Sequence, residues 1–560
     1  MRTIYIFVII TLLSVLPAYS LVEYMNVWTI GGAKQSIDIN IIDTIIFKNK
    51  QMQMFYKDLS SDAIEVDNID SITYSVDATT RFEHIQYLLN QSKNSNIKSY
   101  YVSLQGNDYS GDGSLSKPWK SVKFAINTVP DDSCVIRVMP GEYESVGYLT
   151  RKFSKKILII AETAYIKMKG GTDAHRIFFF DKAENYIVAG FEITGNPNVN
   201  NWEEKYSHLI QISESNHITF ENCIIHDCYN NDNIKINLYS TDIVFRGNAI
   251  YNQCQNENSG DQHYDVVGGN DLVIEDNIFF NDFKASGRPE INNGSASFIM
   301  IKCFNVPNPP SKNIYIARNV FLNWWGKADQ SMLLLGENGF PLHNVEGALI
   351  ENNLFIGNTE NRMSGVISLK GAKDVTIRAN TITGFVKHGW GWNPGEGNFG
   401  YGIRVQCEGQ NPPHENINVY NNIWSDPTGR MLFFSAHSKA NMASGELMNN
   451  LFYNNGNTIE EKPNNCFTPA MDTQKIVADP LLETDYSKVV TPVWNATLKQ
   501  FGGGAKSVEE ARVMLIETFG KFKSSSSPAI NAASPEQMPA NDILFRHRTD
   551  GKPDIGAFEE

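Results

Sequence analysis

Cysteine is scarce in this 560-residue chain. The seven residues Cys134, Cys223, Cys228, Cys254, Cys303, Cys407 and Cys466 are odd in number and widely scattered, which excludes a disulfide framework as the organising device. Most read as small core residues, with one pair left free to oxidise after export. Positive charge is also short. Lys and Arg total 48 against 62 Asp and Glu, the net charge is -14 and the pI is near 5.4. That balance argues against nucleic acid as a partner, although a basic cleft can still sit on an acidic surface. No GxxxxGK[ST], HExxH, CxxC or GxSxG pattern occurs, so nucleotide, zinc-protease and serine-esterase readings have no support. Long apolar runs are missing beyond the first twenty residues, and no transmembrane segment is expected.

Residues 1–20 predict a secretory signal. Arg2 is the charged start, Ile4 to Leu16 the apolar stretch, and Ala18-Tyr-Ser20 a small-x-small cleavage site. A secreted, periplasmic or cell-surface protein is expected, monomeric, with no lipid anchor.

One short phrase recurs along the middle of the chain. Ile218-Thr-Phe-Glu-Asn222, Ile243-Val-Phe-Arg-Gly-Asn248, Val273-Ile-Glu-Asp-Asn277, Ile314-Tyr-Ile-Ala-Arg-Asn319, Val375-Thr-Ile-Arg-Ala-Asn380 and Ile417-Asn-Val-Tyr-Asn-Asn422 all alternate and then stop on asparagine. Asn353 and Asn450 close two further copies, and the gaps are 26, 29, 42, 34, 27, 42 and 28 residues. Alternation means one wet face and one buried face. A constant period of such runs predicts a β-solenoid, because no coil can bury its apolar face alone. Each repeat reads as two strands, one before the turn and one running into the asparagine, and the stack as about ten coils. Asparagines stacked at one corner can form a side-chain ladder.

Residues 21–77 carry a separate repeat at an offset of 27, with Met25 matching Met52, Ile37 matching Ile64 and Ile42-Asp43 matching Ile69-Asp70. They read as a small β module with an accessory or anchoring role, and 78–98 as a linker. The solenoid domain spans 99–456. Its exposed first coil needs a cover, which the short helix predicted at 121–129, with Ser121 as N-cap, can provide. Residues 457–560 read as a C-terminal cap and tail. A helix is expected over 507–522, with Val508, Ala511, Met514, Leu515 and Phe519 on its apolar stripe, placed against the last coils.

The opening Tyr101-Val-Ser-Leu-Gln-Gly-Asn-Asp108, the Pro118-Trp119 turn, the short helix and Val135-Ile-Arg-Val-Met-Pro-Gly-Glu-Tyr143 resemble the start of right-handed parallel β-helix proteins of the pectate-lyase-like superfamily. The likeness covers roughly residues 100–456. Ile234-Lys-Ile-Asn237, His263-Tyr-Asp-Val-Val267, Phe298-Ile-Met-Ile-Lys302, Leu369-Lys-Gly371, Asn421-Asn-Ile-Trp-Ser-Asp-Pro-Thr428 and Pro553-Asp-Ile-Gly-Ala-Phe-Glu559 look more particularly like a group of secreted bacterial β-helix proteins. The resemblance implies an all-β, right-handed parallel β-helix and, for the superfamily at large, cleavage of polysaccharides by lysis or hydrolysis. It also implies Ca²⁺ or Arg and Lys groups as neutralisers of a uronate carboxylate, and Lys or Arg as base. Fold alone does not settle activity.

Candidate chemistry follows from alternation. With Ile234 and Ile236 inside, Lys235 and Asn237 face out, as do Gln211 and Ser213 one coil earlier and Asp265, Lys302, Ser368, Lys370, Arg404 and Gln406 later. Lys235, Asp265 and Lys302 are expected on neighbouring rungs, about 5 Å apart. Lys235 and Lys302 are the base and charge-neutralising candidates, Asp265 a ligand or orienter, and His263 a second base. Asp261, Asp265 and Glu337 are candidate oxygen ligands for Ca²⁺. Lys370, Arg404, Asn237, Trp390 and Trp392 are candidates for holding substrate, the tryptophans by stacking on sugar rings. The same pattern is compatible with a salt-bridge ladder between coils. Three functions remain: a lyase for an acidic polysaccharide, a glycoside hydrolase using Asp265 and Glu337, and a non-catalytic glycan-binding protein.

Overall fold

The computed structural model describes residues 97–560 except 172–175, 199–206, 230, 255–260, 289–296, 305–308, 325–329, 338, 358–362, 364, 385–399, 430, 437–440, 458, 460–467 and 549–550, together with six strands within 24–75. The expected signal at 1–20, most of the linker, Cys466, Trp325, Trp390 and Trp392 lie outside the described residues. The chain divides into two compact units, 1–94 and 95–560.

In the first unit the offset of 27 is visible in the strands. Tyr24–Thr29, Lys34–Asp38 and Ile42–Lys48 are followed by Gln51–Tyr56, Ser61–Glu65 and Ile69–Ser75. Each copy contributes its third strand to the other copy's sheet: Ile69–Ser75 pairs with Tyr24–Thr29, and Ile42–Lys48 with Gln51–Tyr56, all antiparallel.

The second unit is a parallel β-helix. Each full coil has three strands rather than the two read from the sequence. In one coil a single long strand, Ile234–Arg246, supplies the first two and Ala249–Tyr251 the third. The next coil repeats this with Tyr264–Glu275 and Ile278–Phe280. The apolar triplets that follow the asparagines, such as Ile278-Phe279-Phe280, Val320-Phe321-Leu322 and Leu354-Phe355-Ile356, are the third strands. They belong to a 12-stranded sheet, against the ten or so coils expected. Four of its strands, Glu142–Glu144, Ile166–Lys169, Phe191–Thr194 and Ile476–Val477, follow no asparagine of the recurring phrase.

The asparagine ladder is continuous. Asn277 Nδ2 donates to Asn319 Oδ1 at 3.0 Å, Asn319 to Asn353 at 3.0 Å, and Asn353 to Asn380 at 2.9 Å. Each ladder oxygen also accepts the backbone N–H of the asparagine one coil earlier, as Asn353 Oδ1 does from Asn319 at 2.9 Å. The first rung is Cys223, whose N–H donates to Asn248 Oδ1 at 2.8 Å. Asn222, the residue singled out by sequence, instead takes the left-handed position before the rung, with φ of 50°. Asp472 ends the ladder, accepting from Asn450 N and Nδ2 through Oδ2. Asn353→Ala removes the acceptor of two buried donors on Asn319, so a loss of about 2 kcal/mol is expected in urea unfolding. An unchanged midpoint would show the ladder to be incidental.

Helix Val122–Thr128 carries the Ser121 cap, with Ser121 Oγ accepting from Phe124 N. Helix Val508–Phe519 departs from expectation. It lies on the flank of the coil stack, packed on the outer face of the third strands with Leu482, Trp494, Phe501 and Phe558, against Tyr165, Ile224, Ile278, Val320 and Leu354. Residues buried on both faces explain why the third strands read as unbroken apolar triplets. Met514 is exposed, whereas Arg512 and Ile516 take the buried side. Among the described residues no disulfide joins the cysteines.

One buried ionic group ties the tail to the coils. His226 Nδ1 is 2.8 Å from Asp227 Oδ2 and Nε2 is 3.4 Å from Glu192 Oε1, and Trp494 Nε1 donates to Glu192 Oε2 at 3.2 Å. Burial works against the imidazolium, but hydrogen bonds and charge from Asp227 and Glu192 outweigh it and hold His226 up at about 9. The raised value means a stabilising contribution fully present below about 6.5 and lost as pH rises through about 9. Urea midpoints are expected to fall across that window, and His226→Gln to flatten the slope.

Candidate functional site: the outward face of the first strands

Register places side chains from successive coils in columns. One column begins with Tyr148, Phe179, Gln211, Lys235 and Asp265. It continues through Met300, Leu334, Ser368 and Arg404. A second column, two residues along, contains Ser213, Asn237, Val267 and Lys302. Inward neighbours Ile234, Ile236, Tyr264 and Val266 are fully buried, which fixes the outward parity of the rest.

Lys235 forms an ion pair with Asp265 on the next rung. Lys302 is not in the Lys235–Asp265 column but beside it. Its Nζ reaches back to Asp265 Oδ1 at 3.9 Å and forward to Glu337 Oε2 at 2.7 Å. Burial opposes the Lys302 charge, yet Asp265 and Glu337 more than offset it and hold the ammonium above its ordinary range. A base needs the opposite shift, so Lys302 suits charge neutralisation and not proton abstraction. Glu337 is brought to Lys302 by a turn at Gly336. Its φ is 87° and an added Cβ would collide with Lys370 O, so only glycine fits there.

His263 is a correction. It precedes the strand and turns into the core, fully buried, with its ring stacked 4.9 Å from Phe298. Nε2 is 3.1 Å from Phe280 O, and burial pushes the imidazole down to about 3. It reaches no substrate and is withdrawn as a base.

Asp261 lies at the mouth of the same strand. Burial, then the charges of Asp232 and Asp265, push its carboxyl up to about 8. Its Oδ2 has no hydrogen-bond partner among the described residues. Asp232 and His208 were missed by sequence reasoning. Asp232 Oδ2 is 3.2 Å from His208 Nδ1 and Asp232 Oδ1 accepts from Gln262 N at 2.7 Å. Both residues precede strands, where alternation assigns no side. Asp265 and Glu337, two of the three candidate calcium ligands, both face the Lys302 ammonium. Among the described residues no three His, Cys, Asp or Glu side chains gather to hold a metal.

Farther along, Lys370 Nζ pairs with Glu408 Oε1 at 3.0 Å. Arg404 has no carboxylate partner among the described residues. With Lys370, Ser331, Ser368 and Gln406 it lines an open cleft. Asn237 Oδ1 and Gln406 Oε1 are buried and have no hydrogen-bond partner among the described residues.

The strand order and register decide the architecture. The chain is a parallel β-helix protein. No family model matches it, and no curated protein matches it. Among solved structures it is similar to pectate lyase Pel9A, at 16% identity and a TM-score of 0.43, covering 83% of this chain and 97% of that one. A lacto-N-biosidase from Eubacterium ramulus is similar at 14% identity and a TM-score of 0.41, over 71% and 70%. An alginate lyase from a Paenibacillus strain is similar at 15% and 0.32, over 59% and 91%. Likeness at this level carries no inference about activity. Among the described residues, no helix of this β-helix is long and apolar enough to cross a membrane.

Proposed function

We propose that this β-helix is a secreted enzyme that cleaves a uronate-containing polysaccharide laid along the outward face of its first strands, by β-elimination. The observation that carries the reading is Arg404. It is a cation without a carboxylate partner among the described residues, in an open cleft on the same column as Lys235 and Asp265. Such a group attracts a substrate carboxylate.

The reaction needs a neutralised carboxylate, a base for the C5 proton and an acid for the departing oxygen. Lys302, held as an ammonium, meets the uronate carboxylate. Lys235, once deprotonated, takes the C5 proton, the electron pair forms the C4–C5 double bond, and the C4–O4 bond breaks. Asp261, its carboxyl pushed up to about 8 by burial, gives its proton to O4.

A second reading has a specific observation in its favour. Asp261 is pushed up to about 8 while Asp265, four positions on, pairs with Lys235. Two carboxyl groups in such different surroundings suit the acid and base of a glycoside hydrolase. Glu337, the earlier candidate partner, is engaged by Lys302. The test is incubation with a panel of uronate polysaccharides. Ultraviolet absorbance from unsaturated products supports elimination. New reducing ends without that absorbance support hydrolysis, and binding with neither product supports a non-catalytic protein.

A further inference from the structure

The column that carries Lys235 and Asp265 begins with aromatic rings, at the end away from Arg404. Tyr148 pairs with Phe179, Phe179 with Gln211, and Gln211 with Lys235. Three rungs at ordinary strand spacing put Tyr148 about 14 Å from Lys235. Tyr148 is 54% exposed, whereas Phe179 beneath it is nearly buried. The two rings lie 4.3 Å apart. Arg176 fixes both: its guanidinium is 4.9 Å from the Phe179 centroid and 5.9 Å from that of Tyr148. Its Nη1 donates to the Tyr148 hydroxyl at 3.2 Å. An exposed ring held this firmly loses little freedom when something packs on it.

We infer that Tyr148, held by Arg176, is a stacking subsite for a pyranose ring of the polysaccharide whose charged groups meet Lys302 and Arg404. This rests on the acidic-polysaccharide reading and adds a direction and a length to it. The groove has a ring-stacking end and a cationic end, with the charged cluster between. A sugar's apolar face packs on the tyrosine's π surface. A disaccharide seated at Lys235 is too short to touch Tyr148, whereas a hexasaccharide spans the gap.

The experiment is calorimetric titration of uronate di- and hexasaccharides into full-length Lys235→Arg, which blocks turnover, and into the same protein carrying Tyr148→Ala or Tyr148→Phe. Tyr148→Ala is expected to weaken the hexasaccharide about tenfold and leave the disaccharide unchanged, while Tyr148→Phe, which keeps the ring, stays within about twofold of the parent. Equal weakening of both oligomers, or none of either, overturns the subsite and leaves the acidic-substrate reading standing. A parent that binds neither oligomer overturns that reading and the subsite with it.

Discussion

Lys235→Arg is expected to lower turnover of a uronate polysaccharide on the order of 10²–10⁴-fold while leaving its binding nearly intact. Arginine keeps the positive charge on the rung and can still pair with Asp265. It does not give up its proton in any accessible pH range, so only the base function is removed. Lys235→Ala is expected to lose turnover and some binding together. The pH profile is a second signature. The rate is expected to fall as Asp261, its carboxyl pushed up to about 8 by burial, sheds its proton, and initial rates across pH, with oligomer binding measured in parallel, check that limb. A Lys235→Arg protein that turns over within a few-fold of wild type removes Lys235 from the base position and leaves the Asp261–Asp265 hydrolase reading in its place.

Arg512→Leu is expected to destabilise the second unit by about 3–5 kcal/mol. Arg512 is fully buried on the flank helix. Its Nη2 contacts Asp276 Oδ1 at 3.1 Å and Ile543 O at 2.6 Å, and Nε donates to Arg318 O at 3.0 Å. Asp276 and Arg318 are corner residues of two successive coils, so one guanidinium joins helix, tail and coil stack. Leucine fills part of the volume but removes the donor to both carbonyls and one ion pair of Asp276. Arg512→Lys keeps a charge but cannot reach three directions at once, and intermediate loss is expected. Urea unfolding gives the free energy. Limited proteolysis reports release of residues 507–560 before the coils open. A midpoint shift of less than about 1 kcal/mol would make the flank packing apolar in origin.

Much of the coil stack was legible because it rests on local rules. The two-residue period and the recurring asparagine both report one corner of the coil. The third strand was hidden because it is buried on both faces. Ile278-Phe279-Phe280 has no alternation to read, and the segment that covers it, 468–560, is remote in sequence. The offset between Asn222 and the true rung at Cys223 has a local cause: a left-handed residue precedes every ladder position, and asparagine suits that conformation as well as the ladder. At the site, alternation placed Lys235, Asn237, Asp265 and Arg404 on the outer face. It failed at strand entrances, where His263 turns inward and where Asp232 and His208 carry chemistry that no period marks. The lack of a carboxylate beside Arg404 among the described residues and the raised Asp261 carboxyl depend on which coils meet in space, so no single stretch of chain announces them.

The central claim is that the outward face of the first strands is a site for acidic glycan. Calorimetric titration of one uronate dodecasaccharide into wild type, Arg404→Ala and Lys302→Ala tests it most directly, in the cold and at low salt. The account predicts saturable binding by wild type that weakens about tenfold or more in each variant and fades with added salt. Equal affinity in all three proteins would place the glycan elsewhere and contradict it.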